Sequence, residues 1–246
     1  MCDQEEKNDQ KISIPMIFIL GLSTGLVNIL MGIVFASPYF GINLPLLLVA
    51  IIAMVGLGNI PTQLFILKFI ARKDNKKIKD IILFKNKTPI IKYILSIIIT
   101  LIIAVIVFVL LEPIEGKLWD YLKIFNFIPD WYRMELINYQ EYNNMKIIIV
   151  LFYLLNGLWA PIVEEIYFRG YLLPRMGIFG KFAPLMNIIL FSIYHFHSPR
   201  QIITRIIALT PMAYSVWINK DIKIGIFMHC LLNLGGTIGL VLILFK

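Results

Sequence analysis

The stretch LWAPIVEEIYFRGYLLPR, residues 158–175, places three charged side chains inside an apolar run. Glu164, Glu165 and Arg169 lie within six positions of one another. A charged side chain at the centre of a membrane-spanning helix costs about 2.5–3.5 kcal/mol on insertion scales. Because such residues are rare and face the interior of a helix bundle, they indicate a functional site with partners on other helices.

The composition is that of a membrane protein with several spans. Of the 246 residues, 59% are hydrophobic and 15% are charged, whereas soluble domains have about 45–50% apolar and about 25% charged residues. Apolar runs of about 18 residues or more, long enough to cross a bilayer as a helix, recur along the chain. We therefore predict an all-α polytopic membrane protein with about seven or eight transmembrane helices and the site inside the bundle.

Apolar periodicity and turn residues predict the limits of these spans. The predicted spans are about 12–37, 44–71, 93–111, 146–175, 182–196, 201–218 and 222–245. A kink is predicted at 58–61, where Pro61 interrupts the second span, and a break there would add an eighth segment. The turn after the fourth span is predicted at 177–180.

Charge sets the predicted orientation. Residues 1–11 are polar, the loop 72–92 is strongly basic, and basic loops face the cytoplasm. The N-terminus is therefore predicted to be cytoplasmic and the C-terminus external. The acidic and aromatic segment 112–145 is predicted to be an external loop with a short interfacial helix, within an N-terminal region of membrane helices, 12–145. The net charge of +8 fits basic loops beside anionic lipid and does not indicate nucleic acid as a partner.

Helix geometry divides the two glutamates between different roles. Residues four apart share a helix face, whereas neighbours diverge by about 100°. Glu165 and Arg169 are therefore predicted to pair, and breaking a buried ion pair costs about 3–5 kcal/mol. Glu164 points elsewhere, on a line with Phe168 and Tyr171, and remains available as a general base.

Later apolar segments supply polar partners for Glu164. With a turn at 177–180, Glu164 and His195 stand about 20–25 Å along antiparallel helices from the turn, at similar heights. His229 and Asn233 share one helix face. An imidazole can relay protons near neutral pH, and His or Asn side chains can donate hydrogen bonds to an oxyanion. This set fits hydrolysis of a peptide bond by activated water, without a covalent nucleophile.

Two alternatives remain open on these residues alone. A glutamate with histidines in membrane helices also fits the proton relay of a proton-coupled transporter. The same side chains can serve as packing and hydrogen-bonding groups in a non-catalytic scaffold or immunity protein. His197 is interpreted as interfacial, and Asn59 and Asn187 as ordinary interhelical hydrogen-bonding residues.

Three short motifs follow one another on successive predicted helices. They are Glu-Glu-x-x-x-Arg (Glu164, Glu165, Arg169), Phe-x-x-x-His (Phe191, His195) and His-x-x-x-Asn (His229, Asn233). In this order they resemble the CAAX protease and bacteriocin-processing family, also called CPBP or Abi, which includes the type II CAAX prenyl endopeptidases. The resemblance covers about residues 150–238.

The resemblance implies an intramembrane glutamate-type endopeptidase with a catalytic core at 146–245. The implied catalytic residues are Glu164, His195, His229 and Asn233, and the implied supporting residues are Glu165, Arg169 and Phe191. In the implied reaction Glu164 activates water with His195, while the other two catalytic residues stabilise the oxyanion. No cofactor is expected, because the polar residues are scattered and no HExxH motif is present. A zinc ion held by a glutamate and two histidines is the alternative.

The resemblance also implies a peptide or membrane-protein substrate in the bilayer of a cell membrane. Bacteriocin processing, signal-peptide processing and self-immunity are the expected roles. The Ile-, Lys- and Asn-rich composition is associated with low-GC bacteria, in which prenylated CAAX substrates are not expected. The sixth helix departs from the family's longer, glycine-rich pattern, because it reads RIIALTPMAYSVW with Pro211 inside. This departure concerns the path of the substrate.

Overall fold

In the computed structural model, the described residues, 12–37, 49–123, 145–195 and 198–244, form eight helices and no strand. The predicted all-α polytopic fold is confirmed. The helices are α1 (Ile14–Ala36), α2 (Val49–Lys73), α3 (Ile78–Ile81), α4 (Ile90–Leu122), α5 (145–175), α6 (Ala183–Tyr194), α7 (Ile202–Asn219) and α8 (Ile222–Leu244).

Six helical segments are long and apolar enough to cross a membrane, judged by length and composition. Four of them are α1, α2, α4 and α5. The other two are α6 and α7, each counted together with the short 3-10 turn that precedes it, Gly177–Phe182 and Pro199–Gln201. The segment Ile222–Gly236 of α8 is a shorter apolar helix. Each predicted span therefore corresponds to one helix, and the predicted break that would have added an eighth segment is absent from α2.

Two of the helices change their hydrogen-bonding pattern close to a proline. α2 is π-helical over Val49–Asn59 and α-helical from Ile60, with Pro61 at the junction. α5 has a π-helical segment at Leu155–Trp159 just before Pro161. Proline lacks an N–H and crowds the carbonyl four residues earlier, and wider turns are one way a helix accommodates this. The predicted kink at 58–61 is therefore a change of helix type in a continuous helix.

The third predicted span is too short, because α4 continues through Pro113 to Leu122. The continuation packs against the start of α7. There the Glu115 carboxylate accepts hydrogen bonds from the backbone N–H groups of Ile203 and Thr204, at 2.8 and 2.7 Å. The first N–H groups of a helix have no partners within that helix. One of the acidic residues that predicted a loop therefore caps a neighbouring helix.

Several predictions fall on residues outside the described ranges. They concern the polar N-terminus 1–11, the part 124–144 of the loop predicted at 112–145, and His197. The turn predicted after α5 is confirmed, with Gly180 at φ 53° and ψ −129°. Only glycine adopts such a backbone conformation without strain.

The buried core surrounds the second half of α5. Tyr167, Phe168 and Leu172 are fully buried there, and α5 contacts α1, α2, α6 and α8. By contrast, α4 presents a long row of exposed apolar side chains, as expected for a helix that faces lipid. The charged motif thus lies in the interior of the bundle, where membrane proteins keep ionisable groups.

Candidate active site

Glu164 on α5 is only 4% exposed and is held by donors from two other helices. Its Oε1 accepts a hydrogen bond from Asn59 Nδ2 of α2 at 2.6 Å and another from the Tyr194 hydroxyl at the end of α6. Gln63 Nε2 donates to Asn59 Oδ1 at 2.7 Å. Because the Asn59 oxygen is engaged in this way, its amide nitrogen faces the carboxylate. One oxygen of Glu164 is therefore fixed by two donors.

The other oxygen of Glu164 faces His229 on α8. Oε2 lies 3.8 Å from His229 Nε2, which is longer than a hydrogen bond and is a separation that one water molecule can bridge. His229 Nδ1 lies 3.0 Å from Glu165 Oε1. Since an ionised carboxylate only accepts, Nδ1 carries the proton in this contact. Nε2 is consequently the nitrogen directed at Glu164.

The ion pair predicted between Glu165 and Arg169 is present. Arg169 lies 3.1 Å from Glu165 Oε1, and both side chains are fully buried. The guanidinium also lies 4.1 Å from the centroid of the Phe191 ring, a favourable cation–π distance. A Cβ added at Gly225 of α8 would meet Glu165 Oε2. The absence of a side chain there lets α8 approach closely enough for His229 to reach Glu165.

His195 lies one residue beyond the end of α6, where the sequence predicted helix. Its Nδ1 lies 2.7 Å from the Phe191 carbonyl oxygen, so Nδ1 is the donor and Nε2 is the basic nitrogen of the neutral ring. The Phe191 ring lies beside both histidines, with centroids 4.7 Å from His195 and 5.7 Å from His229. Tyr194, the neighbour of His195, provides the donor to Glu164.

Asn233 follows His229 by one turn of α8. Its Nδ2 donates to the Asn156 carbonyl of α5 at 2.9 Å, which orients the amide. The four residues predicted to be catalytic therefore occupy one region of the bundle. Within this region, the Glu164 carboxylate and the His229 ring are 3.8 Å apart.

Two residues that contact Glu164 were missed as site residues. Asn59 was interpreted as an ordinary interhelical hydrogen-bonding residue, and Tyr194 was not singled out. The sequence does contain a signal for Asn59, because a polar side chain inside an apolar membrane helix needs a polar partner. Tyr194 carried none beyond its position next to His195.

The carboxylates of the site have hydrogen-bonding and ionic partners. Within the described part of the chain, no group of three or more His, Cys, Asp or Glu side chains is placed to hold a metal ion. Zinc usually takes four ligands in a tetrahedron. Glu164 and Glu165 instead accept hydrogen bonds or an ion pair from Asn59, Tyr194 and Arg169.

Comparison with known proteins finds a family model that matches part of the carboxyl-terminal half of the chain. Residues 146–235 match the family model described as type II CAAX prenyl endopeptidase Rce1-like. No curated protein and no solved structure matches the chain significantly. The match includes all seven residues predicted for the site, whereas Asn59 lies before it. Over residues 146–235, this multi-pass membrane protein is thus similar to the type II CAAX prenyl endopeptidase Rce1-like family.

Proposed function

We propose that the chain is an intramembrane endopeptidase of the glutamate type, in which Glu164 takes a proton from the attacking water. The observation that carries the proposal is the asymmetry of the Glu164 carboxylate. Asn59 and Tyr194 hold Oε1, while Oε2 is directed at His229. A base that is fixed in orientation and within reach of a water molecule is what general-base catalysis requires.

In the first step, the water oxygen attacks the carbonyl carbon of the scissile peptide bond, and one water proton moves to Glu164 Oε2. The C=O electron pair moves to the oxygen, which becomes an oxyanion. His229 and Asn233 donate hydrogen bonds to it, because donors aimed at developing charge stabilise the transition state. The His229 donor is Nε2–H, since Nδ1 is engaged with Glu165.

The charges of the site balance in this state. Glu164 is then a neutral acid, and with protons on both nitrogens of His229, the imidazolium and the Arg169 guanidinium balance the oxyanion and the Glu165 carboxylate. Buried charges are costly unless they are paired and hydrogen-bonded. Glu165 and Arg169 therefore support the reaction by holding His229 in place.

In the second step, the oxyanion electron pair re-forms the C=O bond as the C–N bond breaks, and the C–N electron pair goes to nitrogen. That nitrogen takes the proton from the Glu164 carboxylic acid, so that Glu164 returns to its starting form. His195, through Nε2, serves as the second acid/base by accepting the remaining proton of the attacking water from the new carboxyl group, which leaves a carboxylate product. No cofactor enters this reaction.

We further propose that the substrate is a peptide or a membrane protein within the bilayer of a cell membrane. Processing of a bacteriocin or signal peptide, with self-immunity as the outcome, is the proposed biological role. The position of the site between apolar helices supports a substrate that reaches it from the membrane. The basic loop 72–92 supports a cytoplasmic N-terminus.

The test compares the peptides of cells that carry the wild-type chain or Glu164→Ala. We expect product peptides to disappear and their precursors to accumulate in Glu164→Ala, with equal amounts of chain in the membrane. Asp74→Ala is the matched control, because Asp74 is an exposed acid at the end of α2. A wild-type peptide pattern in Glu164→Ala would contradict the proposed catalysis and favour a non-catalytic scaffold. pH-dependent flux in proteoliposomes would then favour a transporter.

A further inference from the structure

Arg205 is a buried cation that the proposed reaction does not use. It lies in the first turn of α7 and is 7% exposed. Its guanidinium donates to the Ser192 carbonyl at 3.4 Å, the Ser198 hydroxyl at 2.9 Å and Gln201 Oε1 at 3.1 Å. These three acceptors are neutral; the first belongs to the last turn of α6, and the other two belong to the segment that joins α6 to α7.

The acceptors lie on both sides of His195. Ser192 is in the last turn of α6, and Ser198 follows His195 by three residues. The Ser198 N–H donates to the His195 carbonyl at 2.9 Å. His195 itself has φ −76° and ψ 50°, outside helical geometry. Its backbone is therefore set by contacts from outside α6.

The end of α6 explains why an arginine is suited to this place. The last four carbonyls of a helix lack partners within it and carry partial negative charge. The Ser192 and Phe191 carbonyls are both in that last turn. Arg205 takes the first, and His195 Nδ1 takes the second. A guanidinium is a planar fork that holds several acceptors at fixed angles, which a lysine ammonium does not do.

We propose that Arg205 is a positioning residue for His195. By holding the Ser192 carbonyl before His195 and the Ser198 hydroxyl after it, the guanidinium keeps Nδ1 on the Phe191 carbonyl and keeps Nε2 as the basic nitrogen. The effect of this His195 positioning on catalysis rests on the proposed function. The positioning itself concerns the His195 ring and is measurable without a substrate.

The test observes the imidazole rings directly. The chain has three histidines, so histidine-selective ¹⁵N labelling of the purified full-length protein gives few signals, which single His→Gln variants assign. We expect wild-type His195 to show one tautomer, protonated at Nδ1. In Arg205→Gln, we expect His195 to lose this single-tautomer signal, while His229, held by Glu165, keeps its own. Unchanged His195 signals in folded Arg205→Gln protein would overturn the proposal.

Arg175→Gln is the matched control. Arg175 also donates to a carbonyl near a helix end, that of Tyr171 at 2.8 Å, and its loss should leave the His195 signals unchanged. Arg205→Lys keeps the positive charge but lacks the planar guanidinium with its several donors. We expect this variant to lose part of the single-tautomer signal of His195. If Arg205→Gln does not accumulate, Arg205→Lys carries the test, and a wild-type His195 pattern in it overturns the proposal.

A kinetic arm separates this proposal from the proposed function. On a peptide whose cleavage requires Glu164, Arg205→Gln should lower kcat about a hundredfold, the cost expected when a reacting group is misplaced by about 1 Å, with KM unchanged. A purely structural role would lower the yield of folded protein without lowering kcat per folded molecule. An unchanged kcat together with an altered His195 tautomer would contradict the role of His195 in the reaction while supporting its positioning by Arg205.

Discussion

Glu164 and Glu165 are neighbours in sequence with different partners in the structure. Glu165 pairs with Arg169 and His229, whereas Glu164 is held by Asn59 and Tyr194. The sequence predicted the pair with Arg169, because a four-residue spacing puts both side chains on one face of any helix. The partners of Glu164 were not predictable in this way, since they depend on how α2 and α6 are rotated about their axes.

Tyr194→Phe tests the restraint on Glu164. The variant removes one of the two donors to Oε1, and a hydrogen bond to a charged group contributes about 1.5–3 kcal/mol. We expect kcat to fall about 10- to 100-fold, with the amount of folded protein unchanged. Tyr214→Phe is the control, because the Tyr214 hydroxyl donates to the Lys181 carbonyl at the surface. Equal kcat values for the two variants would refute the restraint.

Glu165→Gln tests the buried ion pair. The change leaves the Arg169 guanidinium buried without its carboxylate, and breaking a buried pair costs about 3–5 kcal/mol. We expect a clearly lower thermal unfolding midpoint in detergent, whereas Asp74→Asn at an exposed position should behave as wild type. A wild-type midpoint for Glu165→Gln would show that the pair does not stabilise the fold.

At the scale of helices, the hairpin of α5 and α6 was predictable and the length of α4 was not. The apolar run through the charged motif and the glycines at 177 and 180 are local signals, and they fixed the end of α5 and the turn. The acidic and aromatic residues of 112–145 are equally local signals, but they indicated a loop. In the structure, Glu115 of that segment accepts hydrogen bonds from the first turn of α7, and such contacts cannot be read from one segment of sequence.

Gly225→Ala tests the close approach of α8 to α5. The new methyl group would meet Glu165 Oε2, whose carboxylate cannot yield freely because Arg169 and His229 hold it. We expect a lower unfolding midpoint and loss of peptide cleavage. Gly235→Ala lies on the same helix, where an added Cβ has nothing within 4 Å, and should leave both quantities unchanged. A Gly225→Ala protein as active as Gly235→Ala would contradict the described packing.

At the scale of the whole molecule, the site is assembled from four helices distributed along the chain. α5, α6 and α8 lie wholly or largely within the family match at 146–235, whereas α2, which provides Asn59 and Gln63, lies before it. The motifs alone could not identify this contribution. It follows from the packing of α2 against the part of α5 that carries Glu164.

Reporter fusions test the proposed orientation. Because the basic loop 72–92 favours the cytoplasm, an odd number of spans places the C-terminus outside. We expect alkaline phosphatase fused after residue 246 to be active and a green fluorescent protein fused there to be dark, with the opposite result for fusions within 72–92. Active phosphatase at 72–92 would reverse the orientation.

Cleavage by purified Glu164→Gln protein in proteoliposomes tests the central claim most directly. Glutamine keeps the shape of the side chain and its contacts with Asn59 and Tyr194 but cannot accept the water proton. Loss of a general base typically lowers a rate about 10²- to 10⁴-fold, so we expect kcat to fall by that factor while the protein remains folded. A Glu164→Gln rate equal to that of the wild-type protein would contradict the role of Glu164 as the base.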